Sequence, residues 1–488
     1  MSLTPTPEQD DCIGLFLTGD PLVIEAGAGT GKTSTLELIA RNTERLGTYV
    51  AFNRAIVNEA KMRFPMHITS VTAHGLAMRS VGRRYSHRLP TIRAASHQLG
   101  KWLDIGPVVV RYDDRNKTLA PGYLAGLVMK GIAAWCASAE PEPSARYIPF
   151  VHGIDTVNAA GQRKSHNNDE LRKYLAPKLH EAWADLCNPE GRLPFTHDHY
   201  LKMWQLSGPS IPGDFVLFDE AQDATPVMLD AVAHQGRRGA QLVFVGDSQQ
   251  QIYEWRGAVN ALAELEGQRA FLTQSWRFGS AIADVANLIL GELEADIRLV
   301  GHPGMDSRIS GCVPAAVLCR SNVGAIDTVL KLQRAGRHPH LVGGGEEVVR
   351  FAKAVSELQE TGSTYHPELA CFTSWAEVMA YVDQDPQGDE LALMVNMINE
   401  YGLQIILDAL DGMIAESEAD VIVSTAHKSK GREWSTVRLA GDFAEPLERG
   451  AGADGELRLL YVAATRARDV LDLRACEPLR ARFSDALV

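Results

Sequence analysis

Short apolar runs recur along the chain, and most of them end in a polar residue or a glycine and are followed by a helical pattern. The runs are PLVIEAG at 21–27, TYVAFN at 48–53, FVLFDE at 215–220, QLVFVGD at 241–247, AAVLCRSN at 315–322, DVIVSTAH at 420–427 and TVRLAGDF at 436–443. Uninterrupted apolar strands are typical of parallel sheets that helices cover on both faces. Such sheets bind ligands at the carboxyl ends of their strands. The pattern therefore predicts an α/β protein with its functional residues at those ends.

Two longer stretches carry helical spacing instead. One lies at about 85–205 and includes YLAGLVMKGIAAWCA at 123–137 and LRKYLAPKLHEAWADLC at 171–187. The other lies at about 345–415 and includes ELALMVNMINEYGLQIILDAL. Apolar residues three and four positions apart predict amphipathic helices. Both stretches are therefore predicted to be helical insertions between α/β segments.

The composition is that of an ordinary globular protein. The 488 residues leave room for about three domains of roughly 100–200 residues each. No run approaches the ~20 apolar residues of a membrane span, and the acidic start MSLTPTPEQDDCIG does not resemble a signal peptide. Seven scattered cysteines without a CxxC pair favour a reducing compartment and argue against a structural zinc or iron–sulfur site. We therefore expect a cytoplasmic protein without a membrane partner.

The net charge of −13 bears on the choice of partner. An acidic chain is poorly suited to coating duplex DNA of any base sequence, because whole-chain charge governs non-specific attraction. A local basic channel can nevertheless exist on an acidic body. The charge therefore leaves room for a narrow channel that takes one strand.

A glycine-rich segment follows the first apolar run and leads into a helical pattern. Glycines let backbone N–H groups curl around phosphate oxygens, and the start of the helix adds the positive end of its dipole. Lys32 would bridge the terminal phosphates, and Thr33 would place its hydroxyl on Mg²⁺. The alternative is a plain turn with a solvated lysine. The nucleotide-binding candidates here are Ala26, Gly27, Ala28, Gly29, Thr30, Gly31, Lys32, Thr33 and Ser34.

Two adjacent carboxylates, Asp219 and Glu220, follow the apolar run FVLF. Paired charges at the tip of a buried strand are costly unless a metal or water uses them. Asp219 would hold Mg²⁺, and Glu220 would orient and deprotonate the attacking water. The alternative is an acidic cap at the start of a helix.

The segment GDSQQQIYEWRGA at 246–258 combines Gln, Tyr, Trp and Arg in one tight turn. The rings of Tyr253 and Trp255 would offer stacking faces to unpaired bases, at ~1–3 kcal/mol per base. For either ring alone, packing in the core is the competing explanation.

Taken in order, AGAGTGKT, DEAQD and GDSQQQIYEWRGA resemble the motifs of the UvrD/Rep/PcrA group of superfamily 1 DNA helicases, and further segments resemble that group's other motifs. The segment at 193–223 is similar to the F-box DNA helicase branch. The matching segments span residues 9 to 468 and are TPEQ ending at Gln9, TAH at 72–74, QSWR at 274–277, TAHKSKGREW at 425–434 and LYVAATRA at 460–467.

The resemblance implies two RecA-like parallel-sheet motor domains with a helical insertion in the first. The first ATPase domain would comprise residues 1–84 and 206–262, and the helical accessory subdomain 85–205 would be inserted in it. The second domain would run over 263–488, with the short helical segment at about 345–415.

The resemblance also assigns roles in ATP binding. It implies that Gln9 reads the adenine, that Trp276 stacks on it in place of the family's tyrosine, and that Glu433 contacts the ribose. Gln250 would sense the γ-phosphate, which two arginines would clamp. The catalytic residues implied are Glu220, Asp219, Lys32, Gln250, Arg277 and Arg466.

The same resemblance indicates a track for DNA. The phenylalanine of the family's first DNA-contact motif lies two residues before the asparagine, whereas Phe52 here directly precedes Asn53. His197 and His199 look like metal ligands only superficially, since no third ligand stands at a sensible spacing, and a solvated helix start is the simpler explanation. The DNA-binding candidates are Phe52, Asn53, His74, Tyr253, Trp255, Arg256 and His427.

By resemblance, the expected function is an ATP-dependent DNA helicase that moves 3′→5′ on single-stranded DNA and acts at junctions of single and double strands. ATP and Mg²⁺ would be its cofactors, recombination or repair proteins its partners, and the unbound state a monomer, nucleoid-associated if bacterial. The short stretch between Asn322 and the run at 420 favours an alternative, a translocase that strips proteins from DNA and unwinds weakly. A further alternative, the helicase subunit of a nuclease complex, is disfavoured by the short stretch after Arg466.

Overall fold

The computed structural model describes residues 4–51, 53–89, 94, 96–112, 115–155, 165–252, 262, 265–366, 368–370, 372–384, 389–411, 413–443, 453–476 and 480. The chain divides into two compact units. The first unit comprises Met1–Ala73, Ser210–Gly345 and Ala409–Val488, and the second comprises His74–Pro209 and Glu346–Asp408.

Strands and helices alternate along most of the described residues. The strands are β1 (Leu22–Ala26), β2 (Gly47–Ala51), β3 (Ile68–Thr72), β4 (Val108–Tyr112), β5 (Arg115–Leu119), β6 (Phe215–Phe218), β7 (Gln241–Gly246), β8 (Gln268–Leu272), β9 (Arg308–Ile309), β10 (Ala316–Cys319), β11 (Pro339–Leu341), β12 (Val421–Thr425), β13 (Trp434–Leu439) and β14 (Ala467–Asp472). The helices are α1 (Pro7–Leu17), α2 (Lys32–Arg41), α3 (Arg54–Arg63), α4 (Ala73–Ser80), α5 (Ser96–Trp102), α6 (Pro121–Ala137), α7 (Asn167–Cys187), α8 (His197–Leu206), α9 (Pro226–Gly236), α10 (Ser280–Glu292), α11 (Asn322–Arg334), α12 (Glu346–Thr361), α13 (Trp375–Gln384), α14 (Asp389–Tyr401), α15 (Leu403–Asp411), α16 (Ala426–Ser429) and α17 (Ala453–Ala464).

The first unit contains a six-stranded sheet in the order β3-β2-β6-β7-β1-β8. All of its neighbouring strands pair in parallel. The central strands are nearly all buried, as their apolar runs predict. Because β6, β7 and β1 are neighbours, the segments that follow their carboxyl ends meet at one edge of the sheet.

The same unit contains a second six-stranded sheet, in the order β11-β12-β10-β13-β14-β9. Its neighbouring strands are again parallel. Helices α10 and α17 pack in the core of this sheet, where Tyr461 is fully buried. The two parallel sheets confirm the α/β prediction.

Strand β8 corrects one predicted boundary. The sequence assigned residues 263–488 to the second domain, yet β8 pairs with β1 in the first sheet, from Leu22 opposite Gln268 to Ala26 opposite Leu272. Only alternate residues of this edge strand are buried. It therefore lacks the continuous apolar run by which the inner strands were recognised.

The second unit contains parts of both stretches that were predicted to be helical. Strands β4 and β5 form an antiparallel hairpin within the first stretch, which the helical prediction missed. Within the unit, Lys117 of β5 forms an ion pair with Glu377 of α13, its Nζ 2.6 Å from Oε1, so the two stretches are joined. The sequence had assigned the second stretch to the second motor domain.

Helix α8 begins at His197, as the interpretation of a helix start proposed. His199 is not solvated, however, but buried, and its Nδ1 accepts a hydrogen bond from the backbone N–H of Thr196 at 2.9 Å. Burial lowers the pKa of His199 to about 4, which keeps the ring neutral and able to accept this bond. Across the described residues, no helix is long and apolar enough to cross a membrane.

Candidate functional site

The loop between β1 and α2 turns sharply at two glycines. Gly29 and Gly31 have φ angles of 76° and 84°, in the left-handed region that favours glycine. A Cβ on Gly29 would also lie 2.8 Å from the Cβ of Arg277. Lys32 and Thr33 follow as the first residues of α2, so the loop delivers both side chains at the start of a helix, where anions bind.

The acidic pair at the end of β6 faces this loop. Thr33 Oγ1 donates to Asp219 Oδ2 at 2.7 Å, and Tyr49 donates to the same oxygen at 2.7 Å. Lys32 Nζ lies 3.5 Å from Glu220 Oε2. The structure therefore brings together the lysine, the hydroxyl and the two carboxylates that the sequence singled out.

Glu220 is held in a conformation that costs energy. Its φ of 52° and ψ of 46° lie in the left-handed region, which is unusual for a side chain of this size. Burial raises the pKa of Glu220, but the charges of Lys32 and Lys430 lower it more, so it lies below its ordinary value. Glu220 is thus ionised at neutral pH and able to accept a proton.

Asp219 has the opposite tendency. It is only 1% exposed, and burial followed by the Glu220 carboxylate raises its pKa. A divalent cation would relieve this cost, because hard cations bind carboxylate and hydroxyl oxygens. The Asp219 carboxylate and the Thr33 hydroxyl, which are already in contact, fit such a cation.

The turn after β7 carries Gln250 on a short 3₁₀ helix, Ser248–Gln250. Its Nε2 donates to Asp247 Oδ2 at 2.7 Å, and the hydroxyl of Tyr461 donates to the same oxygen at 3.1 Å. Tyr461 also accepts the backbone N–H of Ala28 at 3.1 Å. One tyrosine on α17 therefore connects the glycine loop with the turn that carries Gln250.

Arg466 reaches the same turn from the second sheet. Its Nη2 lies 3.4 Å from Gln250 Oε1, and its Nε donates to the carbonyl of Val462 at 2.8 Å. The side chain is 2% exposed, and no carboxylate lies within ion-pair distance in the part of the chain that the structure describes. Burial and then the Arg277 cation lower the pKa of Arg466 to about 9. A buried cation with neutral partners is suited to receive an anionic group.

Arg277 lies beside Arg466 but is engaged elsewhere. Its Nε donates to Glu433 Oε2 at 2.8 Å, and its Nη1 donates to the carbonyl of Thr465 at 3.1 Å. Arg277, predicted to clamp the phosphate, and Glu433, predicted to contact the ribose, are therefore hydrogen-bonded to each other.

Gln9 and Trp276 flank the glycine loop. A Cβ on Gly31 would lie 3.8 Å from Gln9 Nε2 and 3.9 Å from Trp276 Cδ1. Gln9 donates to Thr35 Oγ1 at 3.1 Å and also caps the start of α1, so its amide is held in place. Trp276 is 51% exposed. A planar base bound here could stack its face on Trp276 and place its edge against the Gln9 amide.

The remaining nucleotide candidate, Ser34, has a different neighbour. Its Oγ accepts a hydrogen bond from Arg63 Nη2 at 2.9 Å. Arg63 belongs to α3 and also pairs with the buried Glu37 of α2. This network ties α2 to α3, which Asn53 caps.

The candidate DNA residues are only partly described. Phe52, Tyr253, Trp255 and Arg256 lie outside the described residues. Asn53 accepts the backbone N–H of Ile56 at 3.0 Å as the cap of α3, and His74 Nε2 lies 3.0 Å from Asp198 Oδ1 in the second unit. His427 lies at the start of α16 and is partly buried.

Lys430 and Asp223 form a contact that the motifs alone did not single out. Lys430 Nζ lies 2.5 Å from Asp223 Oδ1 and donates to the carbonyl of Gln250 at 2.7 Å. Both side chains are largely buried. Their positions within TAHKSKGREW and DEAQD were visible in the sequence, but their pairing required the fold.

Comparison with known proteins agrees with this geometry. The AAA domain family matches residues 9–256, and the UvrD-like helicase C-terminal domain matches residues 420–472. F-box DNA helicase 1 of Gallus gallus is 30% identical over 93% of this chain and 47% of its own length. F-box DNA helicase protein 1 of Schizosaccharomyces pombe is 29% identical over 93% of this chain and 55% of its own. DNA helicase IV of Escherichia coli is 27% identical over 57% of this chain and 46% of its own. The chain thus spans about half the length of these relatives.

Proposed function

Because the chain belongs to the AAA domain family and also matches the UvrD-like helicase C-terminal domain, we propose that it is an ATP-driven DNA helicase that moves 3′→5′ on single-stranded DNA. The observation that carries the proposal is the position of Arg466. This cation extends from the second sheet to Gln250, beside the lysine and carboxylates of the first sheet. Phosphoryl transfer needs such an assembly, because charge spreads over the transferred group.

Each residue has a distinct task in the proposed reaction. Lys32 and the backbone N–H groups of the glycine loop bind the phosphates, and Glu220 orients and deprotonates the attacking water. Arg466 and Arg277 stabilise the charge that develops on the transferred group. Thr33 and Asp219 would hold Mg²⁺, which neutralises phosphate charge when it is bound.

The coupling to movement follows from where the arginine comes from. Arg466 acts on a phosphate that is bound at the first sheet, so ATP turnover requires the two sheets to keep their relative position. A change of nucleotide state would shift the two sheets relative to each other, and a DNA strand bound to both would be moved. The direction of movement is carried over from the family resemblance.

The proposal is tested by measuring ATP hydrolysis with and without single-stranded DNA, followed by strand displacement on junctions with 3′ or 5′ tails. We expect turnover to rise at least tenfold with the single strand and only 3′-tailed junctions to be unwound. Hydrolysis without displacement, accompanied by removal of a protein bound to the strand, would favour the translocase alternative. Absence of DNA-dependent hydrolysis would refute both.

A basic surface in the second unit supports the choice of DNA. Residues 74–103 contain no Asp or Glu and six Lys or Arg, in a chain of net charge −13. Among them, Arg79, Arg83 and Arg84 are exposed. None of the three has a carboxylate within ion-pair distance among the described residues. Such free cations attract phosphates, and sequence reasoning missed them because it searched for motifs.

We expect the triple variant Arg79→Ala, Arg83→Ala, Arg84→Ala to bind single-stranded DNA more weakly. The slope of log K against log salt should become shallower by about 0.7 for each phosphate that the variant no longer binds. Titrations at several salt concentrations measure this, and hydrolysis without DNA should not change. The matched control is Arg350→Ala, Lys353→Ala, which removes two exposed cations from α12. Equal slopes for both variants would exclude this surface from binding.

A further inference from the structure

Glu25 is an unexpected residue in an inner strand. The three residues before it in β1 are fully buried and apolar, and β1 lies between β7 and β8. Glu25 itself is opposite Gly246 of β7 and Phe271 of β8. A carboxylate at such a position is costly unless other groups satisfy it.

Both oxygens of Glu25 are used by a single residue. Ser248 donates its backbone N–H to Oε1 at 2.7 Å and its hydroxyl to Oε2 at 2.7 Å. Ser248 is the first residue of the short helix that ends at Gln250. Hydrogen bonds to an ionised acceptor are roughly twice as strong as neutral ones, so this contact is a firm hold on the turn.

Asp247 holds the same turn from its other side. It accepts the backbone N–H of Gln249 at 3.1 Å and the side chain of Gln250 at 2.7 Å. The turn that bears Gln250 is therefore fixed by two carboxylates, of which only Glu25 belongs to β1. Because β1 continues directly into the glycine loop, one strand positions both Lys32 and, through Ser248, Gln250.

The protonation of Glu25 does not release this hold. Burial and then the Asp247 charge raise the pKa of Glu25 to about 7, while the two hydrogen bonds from Ser248 and then the Arg269 cation oppose the rise. Both protonation states are therefore populated near neutral pH. A serine hydroxyl can donate to the carboxylate or accept from the neutral acid, so Ser248 suits either form.

We propose that Glu25 is a positioning residue for ATP hydrolysis, which sets the place of Gln250 relative to the glycine loop by holding Ser248. The proposal rests on the ATPase activity proposed above. It assigns to Glu25 no contact with the nucleotide. The expected effect is therefore on the chemical step that needs Gln250 and not on binding of the nucleotide.

The first experiment measures kcat and KM for ATP and the affinity for ADP in Glu25→Ala. Misplacing a side chain by about 1 Å can cost 10²-fold in rate, so kcat should fall ~10–100-fold. KM and ADP affinity should stay close to the wild type, because Lys32 and the loop are unchanged. Glu25→Gln should recover most of the lost turnover, since its oxygen can accept the N–H and its amide can donate to the hydroxyl. A normal kcat in Glu25→Ala, or an equal loss in Glu25→Gln, would overturn the proposal.

The second experiment separates positioning from a general structural role. In a Gln250→Ala background, Glu25→Ala should lower kcat by no more than about twofold, because the residue it positions is already gone. Independent losses that multiply would contradict the proposal. If Glu25→Ala proves unstable in thermal melting, Ser248→Ala replaces it in the cycle, with a smaller expected loss because the backbone N–H still donates to Glu25.

The control is Glu44→Ala, which removes an exposed glutamate from the same unit and should leave kcat and melting unchanged. The two proposals fail in different ways. A wild-type protein without ATP turnover contradicts the proposed function. A wild-type protein that turns over ATP, together with a multiplicative cycle, contradicts only the role of Glu25.

Discussion

Glu220→Gln is expected to bind ATP nearly normally and to lose turnover by about 10²–10⁴-fold, the usual contribution of a general base. The amide keeps the size of the side chain and can still accept from Gln222, whose Nε2 donates to Glu220 Oε2 at 2.6 Å. It cannot take a proton from water. Lys32 stabilises the ionised Glu220, so the substitution removes a negative charge that is present in the wild-type site.

The measurement compares single-turnover hydrolysis with equilibrium binding of ATP. Glu44→Gln, at an exposed position of the first unit, is the matched control. Normal turnover in Glu220→Gln would show that another group is the base. Loss of ATP binding in parallel with turnover would show that the carboxylate mainly holds Lys32 in place.

Arg466→Ala is expected to hydrolyse ATP ~10³-fold more slowly, with nearly unchanged affinity for ATP, because its charge is needed mainly when the phosphoryl group is transferred. The buried guanidinium has neutral partners in this structure, which are Gln250, Val462 and Thr465. A cation desolvated in this way interacts strongly with an anion that arrives.

Arg466→Lys is the companion variant. It keeps the charge but loses the planar fork, so it should recover only part of the rate. Thermal melting of both variants shows whether the buried side chain also supports α17. An affinity loss that matches the rate loss would make Arg466 a ligand of the ground state.

Much of the first sheet was readable from the chain. Inner strands such as β6 and β7 are nearly continuous apolar runs because helices cover both of their faces, and such a run is visible in the sequence without knowledge of the neighbouring strands. The ends of these runs also carried the chemistry. Asp219 and Glu220 directly follow β6, and Lys32 and Thr33 follow the glycine loop that continues β1, so local sequence alone predicts all four.

Edge strands and pairings between distant segments were not readable. Strand β8 is half exposed at the edge of the first sheet, and the hairpin β4–β5 lies in a stretch of helical spacing. Neither stands out in the sequence, because an edge strand needs no continuous apolar run and the exposed Phe271 obscures the alternation of buried residues in β8. The second unit posed the same difficulty, since the ion pair of Lys117 with Glu377 joins segments far apart in the chain.

The sequence by itself determined the α/β class, the glycine loop and the acidic pair, because each depends on residues that are close in the chain. Family resemblance extended this to the arginines and to the expected reaction. Only the tertiary structure decided that Arg466 is buried beside Gln250, that Lys430 holds Asp223, and that Glu25 holds Ser248. The Glu25–Ser248 contact arises where neighbouring parallel strands bring two segments to one sheet edge, whereas Arg466 and Lys430 reach the first sheet from the second. Strand order and the packing of the sheets are set by long-range contacts that no local pattern records.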